Sequence, residues 1–463
     1  MAETVEQKGA VLSEPMKATS GKTANGDTNR ASRGVTPTWD KLARCLPDRH
    51  PDWDYWWKFS GPHIATMVAE AGYDTHDQYE ALLFYYHYAV PKLGAAPGPN
   101  FRPKWKSPLS VDGFPAEYSF KWNTRSGDTP DVRYTIESLG DYTGTKTDPF
   151  NVESVKELMY RLSRQYPQID LTWFHRLVPY IYDVEKANYL KNGGAATTTM
   201  MTAFELLKGD FMTKAYFVAP NRLPIGRAYD FDFWSSAISS IAPASPGAQK
   251  VFSFFLRKDH GQALHPAGLA VDCVDPSKAR IKFYVQNRDN SFDSVRAMMT
   301  MGGTIKGLDT QLEELHELIK IIIGLPADHP SSNQLPIMRG THESVLGHVE
   351  NNRELLTGYM YYFDIRPGTE IPDIKLYVPT RIYSKSDAQV VEGLSKFMRE
   401  RGRGQYVDNY LRILDSVCPH RSLADGNGLH AYVSCAFIRG ELSITSYFGP
   451  EAYHPNRFAK SGK

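Results

Sequence analysis

The stretch Ala279-Arg280-Ile281-Lys282-Phe283-Tyr284-Val285-Gln286 alternates strictly between polar and apolar side chains. Successive side chains of a β-strand point to opposite faces, so the two cations, Tyr284 and Gln286 are predicted to share one face. The apolar residues between them form the other face. One strand would therefore present a cationic and aromatic surface on one side and a surface suited to a hydrophobic core on the other.

A lysine two residues before a tyrosine occurs in three predicted strands. Lys282 and Tyr284 are the first example, and the segments Lys214-Ala215-Tyr216 and Lys375-Leu376-Tyr377 repeat the spacing. A solvated sheet surface is the alternative interpretation, and it would explain one such strand. Three of them favour a polar cavity lined by cations and aromatic rings.

Length and composition restrict the classes of protein to be considered. The chain has 463 residues and a net charge of +1, so no basic excess indicates a nucleic-acid partner. The four cysteines show no metal-type spacing, and no apolar run is long enough to span a bilayer. We therefore expect a cytoplasmic protein with reduced thiols and small-molecule partners, without nucleic acid or membrane. Residues 1–35 are polar and lack aromatic side chains, which predicts a disordered tail before a single domain over 36–463.

Pairs of predicted strands alternate with helical segments five times along the chain. The pairs are Pro115–Trp122 with Asp131–Glu137, Thr198–Leu206 with Phe211–Ala219, Gly268–Val274 with Ala279–Gln286, Tyr359–Arg366 with Ile374–Val378, and Leu429–Ile438 with Glu441–Phe448. This pattern predicts an α/β fold in which ten antiparallel strands close into a barrel, with helices outside and a polar, tyrosine-lined lumen. An open sheet with one wet face is the alternative, but it leaves the recurrent tyrosines unexplained.

The polar strand faces carry three kinds of candidate site residue. They are the cations Arg133, Lys214, Arg280, Lys282 and Lys375, the tyrosines Tyr216, Tyr284, Tyr377, Tyr432 and Tyr447, and one acid, Glu117. Converging cations in a barrel need a multiply charged oxyanion such as a diphosphate, because an unpaired buried charge is costly. Tyrosine rings beside it suit a carbocation, and the acid could accept a proton from a second substrate. These parts describe ionisation of an allylic diphosphate and capture of the cation by an aromatic nucleophile.

At this level of detail the chain resembles the fungal aromatic prenyltransferases of the dimethylallyltryptophan synthase family. The motifs that carry the resemblance are Tyr55-Trp56-Trp57, Phe114-Pro115-x-Glu117-x-Ser119, Val132-Arg133-Tyr134, Asp148-Pro149-Phe150-Asn151, Lys214-Ala215-Tyr216, Ser277-x-x-Arg280-x-Lys282-x-Tyr284, Met301-Gly302-Gly303 and Lys375-x-Tyr377. They span nearly the whole chain after the tail, in family order. The resemblance implies the αββα prenyltransferase barrel, which agrees with the strand count.

The resemblance also implies roles for the candidate residues. Glu117 matches the family's acid that accepts the indole N–H hydrogen bond. The cations at 133, 214, 280 and 282 match its diphosphate ligands, and Lys375 falls where members carry Gln or Lys. The five tyrosines match the shield around the dimethylallyl group, and the assignments of Tyr432 and Tyr447 rest on the shorter match Ala431-Tyr432-Val433-Ser434.

Two departures from the family bear on the acceptor. Some tryptophan-using members have a lysine base about thirteen positions before Lys214, where this chain has Met200-Met201-Thr202. The aromatic residue expected two positions after Tyr216 is Val218. We therefore expect a dimethylallyl diphosphate-dependent transferase of secondary metabolism whose acceptor is an indole compound bulkier than free tryptophan, such as an indole alkaloid, indole diterpene or cyclic dipeptide. A phenolic or xanthone acceptor and a non-catalytic binding barrel are the alternatives.

Magnesium is not expected to be required. The chain has no Asp-Asp-x-x-Asp motif, and the five cations could neutralise the diphosphate instead. No cofactor or metal site is therefore predicted, and dimethylallyl diphosphate enters as a co-substrate. Association into a homodimer is compatible with the sequence.

Overall fold

Ten antiparallel strands follow one another around a closed barrel, in which β1 pairs with β10 and every other strand with its neighbours in sequence. The strands are β1 Ala116–Lys121, β2 Asp131–Ile136, β3 Met200–Leu207, β4 Asp210–Val218, β5 Leu264–Asp272, β6 Ile281–Asn287, β7 Tyr359–Ile365, β8 Asp373–Val378, β9 His430–Ile438 and β10 Glu441–Phe448. Closure pairs Ser119 with Tyr447 and Lys121 with Thr445. The prediction of a ten-stranded antiparallel barrel is therefore confirmed.

The computed structural model describes residues 36–98, 100–125, 127–183, 186–219, 229–243, 245–256, 264–336 and 358–459. Residues 1–35, for which the sequence predicts a disordered tail, lie outside the described residues.

Helices surround the outer face of the barrel. The described α-helices are Pro37–Cys45, Pro51–Glu70, Thr75–Phe84, Glu153–Gln165, Thr172–Tyr182, Lys186–Lys191, Phe231–Ile241, Pro246–Phe255, Phe292–Met299, Asp309–Ile323, Thr380–Tyr383, Asp387–Glu400 and Val407–Val417. The apolar face of β6 shows how they pack, because the Phe283 ring lies 5.1 Å from Phe252 and 6.3 Å from Trp234. None of these described helices combines the length and the apolar composition that a membrane span needs.

Strand β5 begins at Leu264, four residues before the predicted start at Gly268. The pairing of β5 with β6 shifts register between Pro266 and Gly268, which marks a bulge. Gly268 has a φ of 151°, and a Cβ placed there would lie 2.2 Å from the Phe217 carbonyl oxygen on β4. Only glycine allows β4 and β5 to approach this closely.

We expect Gly268→Ala to lower the free energy of unfolding by about 2–4 kcal/mol, because the added methyl group meets backbone that cannot move without breaking the ladder. Thermal unfolding of the purified variant measures the effect. Gly209→Ala is the matched control, since Gly209 has a φ of 76° but open space around its Cβ position. If the two variants lost equal stability, backbone strain alone would explain both and the close approach would not matter.

Candidate active site

The inner face of the barrel is built by every second residue of each strand. The register places Lys214 opposite Ala203, Lys282 opposite Ala270, and Lys375 opposite Ala436. Small residues beside long ones leave room for the lysine side chains and for a ligand. The polar faces predicted from the sequence thus converge on one lumen.

The predicted diphosphate-binding cations lie on alternate strands of the barrel and face this lumen. Lys214, Lys282 and Lys375 are buried on β4, β6 and β8, and Arg133 is partly buried on β2. Arg280 directly precedes β6. The structure therefore brings all five together, although their roles as diphosphate ligands stay predictions.

Three further carboxylates lie among these cations, which corrects the expectation of Glu117 as the lone acid of the lumen. Glu205 forms ion pairs with both Arg133 and Lys214. Asp272 lies 2.5 Å from the Arg280 Nε and 3.3 Å from the Lys282 Nζ.

The third of these acids, Asp364, lies 3.5 Å from the Arg280 Nη1. All three carboxylates belong to the inward positions of their strands, so the same alternation that identified the cations could have identified them.

The ion pairs control the protonation of the acids. Burial alone would raise the pKa of the Glu205 carboxyl, but Arg133 and then Lys214 outweigh it and hold the pKa well below its usual value. Lys282 and Arg280 likewise lower the pKa of Asp272 against the effect of burial. Both carboxylates are therefore ionised at neutral pH and act as counter-ions for the cation cluster.

Lys375 differs from the other cations. Its Nζ lies 3.2 Å from the Thr445 Oγ1 and 3.5 Å from the Tyr447 hydroxyl, and within the described chain no carboxylate lies in ion-pair distance. Burial, followed by the charges of Arg133 and Lys121, lowers the pKa of Lys375 well below its usual value. An arriving anion would stabilise the protonated form, so this lysine can gain charge on binding.

The predicted tyrosines form a continuous aromatic surface next to the cations. Ring centroids are 5.9 Å apart for Tyr216 and Tyr284, 6.2 Å for Tyr284 and Tyr377, and 5.4 Å for Tyr377 and Tyr447. Tyr432 extends the surface, 6.1 Å from Tyr377. Burial raises the pKa of Tyr216, Tyr284, Tyr377 and Tyr447, so these rings are neutral phenols.

Tyr362 is a sixth member of this surface that the sequence analysis missed. It lies between Tyr284 and Tyr377 at 5.6 and 6.0 Å, and the Lys282 Nζ is 5.9 Å from its ring. Tyr362 lies two residues before Asp364 in the strand Tyr359–Ile365, so both side chains point to the inner face. The sequence pattern did not single out Tyr362, because Tyr359 and Tyr361 place tyrosines on the opposite face of the same strand.

Glu117 lies on β1 opposite Thr135, half-buried and facing the lumen. Burial raises the pKa of its carboxyl to about 8, and the charge of Arg381 opposes this shift.

Arg381 is a further lumen residue that the sequence patterns did not identify. It belongs to the short helix Thr380–Tyr383 after β8, and its Nη2 donates to the Tyr432 hydroxyl at 2.8 Å. The lumen therefore has a cationic region, a tyrosine surface, and a third region around Glu117 and Arg381.

Comparison with known proteins agrees with this architecture. The family model described as "Tryptophan dimethylallyltransferase" matches residues 52–413. The chain belongs to this family and is an aromatic prenyltransferase.

Two curated fungal relatives cover nearly the whole chain. The chain is 42% identical to "Prenyltransferase anuH" of Penicillium roqueforti over 93% of its own length and 96% of the relative. It is 37% identical to "Xanthone prenyltransferase B" of Emericella nidulans, over 92% of this chain and 94% of the relative.

Two solved structures show the same fold. AnaPT from Neosartorya fischeri superposes with a TM-score of 0.74 at 24% identity, over 89% of this chain and 98% of that chain. NotF in complex with brevianamide F and DMSPP superposes with a TM-score of 0.71 at 18% identity, over 90% and 99%. The predicted family and barrel are thus confirmed, whereas the roles of individual residues stay predictions.

We expect Glu205→Gln to lower the free energy of unfolding by about 3–5 kcal/mol, because it leaves the buried Lys214 without its ion-pair partner and leaves Arg133 with Asp131 alone. Inorganic diphosphate should raise the melting temperature of the variant more than that of the wild type, since it replaces the lost charge. Thermal unfolding with and without diphosphate measures both effects. Glu317→Gln, which removes an exposed ion pair with Arg401, should change stability by less than about 1 kcal/mol. Equal gains from diphosphate in wild type and Glu205→Gln would contradict the counter-ion role.

Proposed function

We propose that the protein transfers a dimethylallyl group from dimethylallyl diphosphate to an indole-containing metabolite bulkier than free tryptophan. The observation that carries this proposal is the contact between a buried cation cluster and a surface of neutral tyrosines in one closed lumen. Lys375 makes this contact directly, since its Nζ lies 5.6 Å from the Tyr377 ring centroid and 5.7 Å from that of Tyr447.

The cation cluster would hold the diphosphate and stabilise it as it leaves. Five cations against the carboxylates of Glu205, Asp272 and Asp364 give 5 − 3 = +2 when all are ionised. The bond between the first prenyl carbon and the diphosphate oxygen breaks, and its electron pair leaves with the diphosphate. Fixed cations favour this step because negative charge develops on an oxygen that they already face.

The tyrosine surface would protect the resulting allylic cation. The faces of the rings attract positive charge, and a lumen walled by rings keeps water from capturing the cation. Neutral phenols suit this role better than phenolates, which would attack the cation themselves.

Glu117 would bind the acceptor. Its carboxylate accepts the hydrogen bond of the indole N–H and increases the electron density of the ring, whose π electrons then form the new carbon–carbon bond. The proton on the substituted carbon leaves to the released diphosphate, so charge and atoms balance.

The preference for a bulky acceptor rests on Met201 and Val218. Met201 pairs with Tyr216 on the inner face of β3, at the place where some tryptophan-using relatives carry a basic lysine, and it offers no base. Val218, at the end of β4, fills less space than an aromatic ring would. Met201 would make the acceptor region less polar, and Val218 would make it larger.

A phenolic acceptor such as a hydroxyxanthone is the second candidate. It is supported by the 37% identity to a relative named xanthone prenyltransferase B. A carboxyl with a pKa of about 8 is also closer in proton affinity to a phenol than an ordinary carboxyl is. The third alternative of the sequence analysis, a non-catalytic barrel, is set aside because the chain belongs to an enzyme family.

We propose further that transfer does not require Mg²⁺ and takes place in the cytoplasm. Glu205, Asp272 and Asp364 are oxygen donors of the kind that Mg²⁺ prefers. Each of them already lies against a lysine or arginine, which competes for the same oxygens.

Diphosphate release from dimethylallyl diphosphate with EDTA present tests the proposal. The acceptor panel contains tryptophan, a linear and a cyclic tryptophan dipeptide, an indole diterpene and a hydroxyxanthone. We expect release with an indole larger than tryptophan and none with tryptophan itself. Release with the hydroxyxanthone alone would favour the second candidate. Release only after Mg²⁺ replaces EDTA would contradict metal independence.

Two substitutions should separate donor binding from acceptor activation. Lys282→Ala removes a buried cation and should weaken binding of dimethylallyl diphosphate at least about tenfold. Glu117→Gln keeps the shape and the cation cluster, so it should leave donor binding within about twofold but lower kcat at least about 100-fold. Calorimetric binding and steady-state kinetics measure the pair. Full activity of Glu117→Gln on an indole would show that the assigned base is wrong.

The pH profile gives an independent check on Glu117. A carboxyl with its pKa raised to about 8 is protonated in the free enzyme at neutral pH, and only the ionised form accepts the acceptor's hydrogen bond. For an N–H acceptor, we expect kcat/KM to rise as pH increases and to level off above about 8. In Glu117→Gln this rise should disappear. An unchanged profile in the variant would assign the titration to another group.

A further inference from the structure

The third region of the lumen contains a guanidinium with no counter-ion. Arg381 is 6% exposed, and within the described part of the chain it makes one side-chain hydrogen bond, to the Tyr432 hydroxyl, and no ion pair within 4.0 Å. Its charge also lies 4.9 Å from the Tyr432 ring centroid. Among the equally buried lumen cations of the described chain, Lys214 and Lys282 each have a carboxylate, whereas Lys375 has none and belongs to the proposed diphosphate site. A buried charge without one is costly and indicates that a partner arrives from outside.

The nearby protein groups do not supply that partner. Glu117 is the acid whose charge Arg381 influences, but burial raises its pKa to about 8, so in the free enzyme it is neutral at pH 7. Tyr432 gives a hydroxyl oxygen and a ring face, which are weak substitutes for an anion. Glu117 and Tyr432 therefore leave most N–H donors of the Arg381 guanidinium available to a ligand.

The position of Arg381 argues that this ligand is the acceptor rather than the diphosphate. Tyr377 lies between Lys375 and Arg381 along the chain, and its ring is 6.1 Å from Tyr432 and 5.4 Å from Tyr447. Arg381 thus contacts Tyr432, whereas Lys375 contacts Tyr377 and Tyr447. A diphosphate held by Lys214, Lys282 and Lys375 is on the far side of the rings.

We propose that Arg381 is a specificity-determining residue that binds an anionic oxygen on the aromatic acceptor. Two sources could supply this oxygen, namely a carboxylate on the side group of an indole and an ionised ring hydroxyl of a phenol. In both cases the oxygen forms charge-assisted hydrogen bonds with the guanidinium, and Glu117 contacts the neighbouring N–H or O–H. The inference rests on the proposed function and narrows it to acceptors that carry such an oxygen.

The test compares acceptors that differ only in this oxygen. One pair is a hydroxyxanthone and its methyl ether, and the other is a linear tryptophan dipeptide and its methyl ester. Their affinities are measured by calorimetry in the presence of a dimethylallyl thiolodiphosphate, which does not react on this timescale. We expect the wild type to prefer the oxyanion-bearing member of at least one pair, and the pair that shows the preference identifies the source.

In Arg381→Met this preference should fall about 10- to 100-fold, the range of a charge-assisted hydrogen bond. Arg381→Lys, which keeps the charge but not the planar fork, should retain part of it. Arg401→Met is the matched control, because Arg401 pairs with Glu314 and Glu317 between outer helices. Affinity for the thiolodiphosphate should stay within about twofold in all three variants, which also shows that they fold.

No preference in the wild type, or the same preference in Arg381→Met, would overturn the assignment. A loss of thiolodiphosphate affinity in Arg381→Met would overturn it as well, since Arg381 would then belong to the donor site. Diphosphate release is measured separately with the true donor. A wild type that binds the oxyanion-bearing acceptor but never releases diphosphate would refute the proposed function while leaving the role of Arg381 intact.

Discussion

The barrel depends on neutralising the positive charge that it encloses. Lysines and arginines inside a closed lumen would repel one another and destabilise the fold unless anions lie among them. Glu205, Asp272 and Asp364 supply that charge on alternate strands, each in contact with one or two cations. The fold can therefore exist without its substrate and still keep cations in the lumen to bind it. This balance favours binding of a diphosphate, because the incoming anion finds cations that the protein has already desolvated.

The same alternation of side chains places a cationic region of the lumen next to an aromatic one. Lys214 and Tyr216 are two residues apart on β4, as are Lys282 and Tyr284 on β6. Each strand thus contributes a cation and, two residues later, a ring, which in the proposed reaction would place the leaving group beside the developing carbocation. Glu117 and Arg381 form a separate region of the lumen, which we propose for the acceptor.

Much of this could be predicted from sequence because strand alternation is a local property. The residues of β6 on the two faces follow directly from the quoted stretch, and five strand pairs predicted closure. The ion pairs could not be found in the same way, since Glu205 meets Arg133 only through the pairing of β2 with β3. Arg381 was missed for a different reason. It follows the strand rather than belonging to it, and only the packing of its short helix against β9 brings it to Tyr432.

A crystal structure with a dimethylallyl thiolodiphosphate bound would show directly whether the cations of the lumen hold the donor. We expect the diphosphate oxygens within hydrogen-bond distance of Lys214, Lys282 and Lys375, with the prenyl chain against the tyrosine rings. A diphosphate bound outside the barrel, or inside it with the ion pairs of Glu205 and Asp272 undisturbed and no lysine in contact, would contradict it.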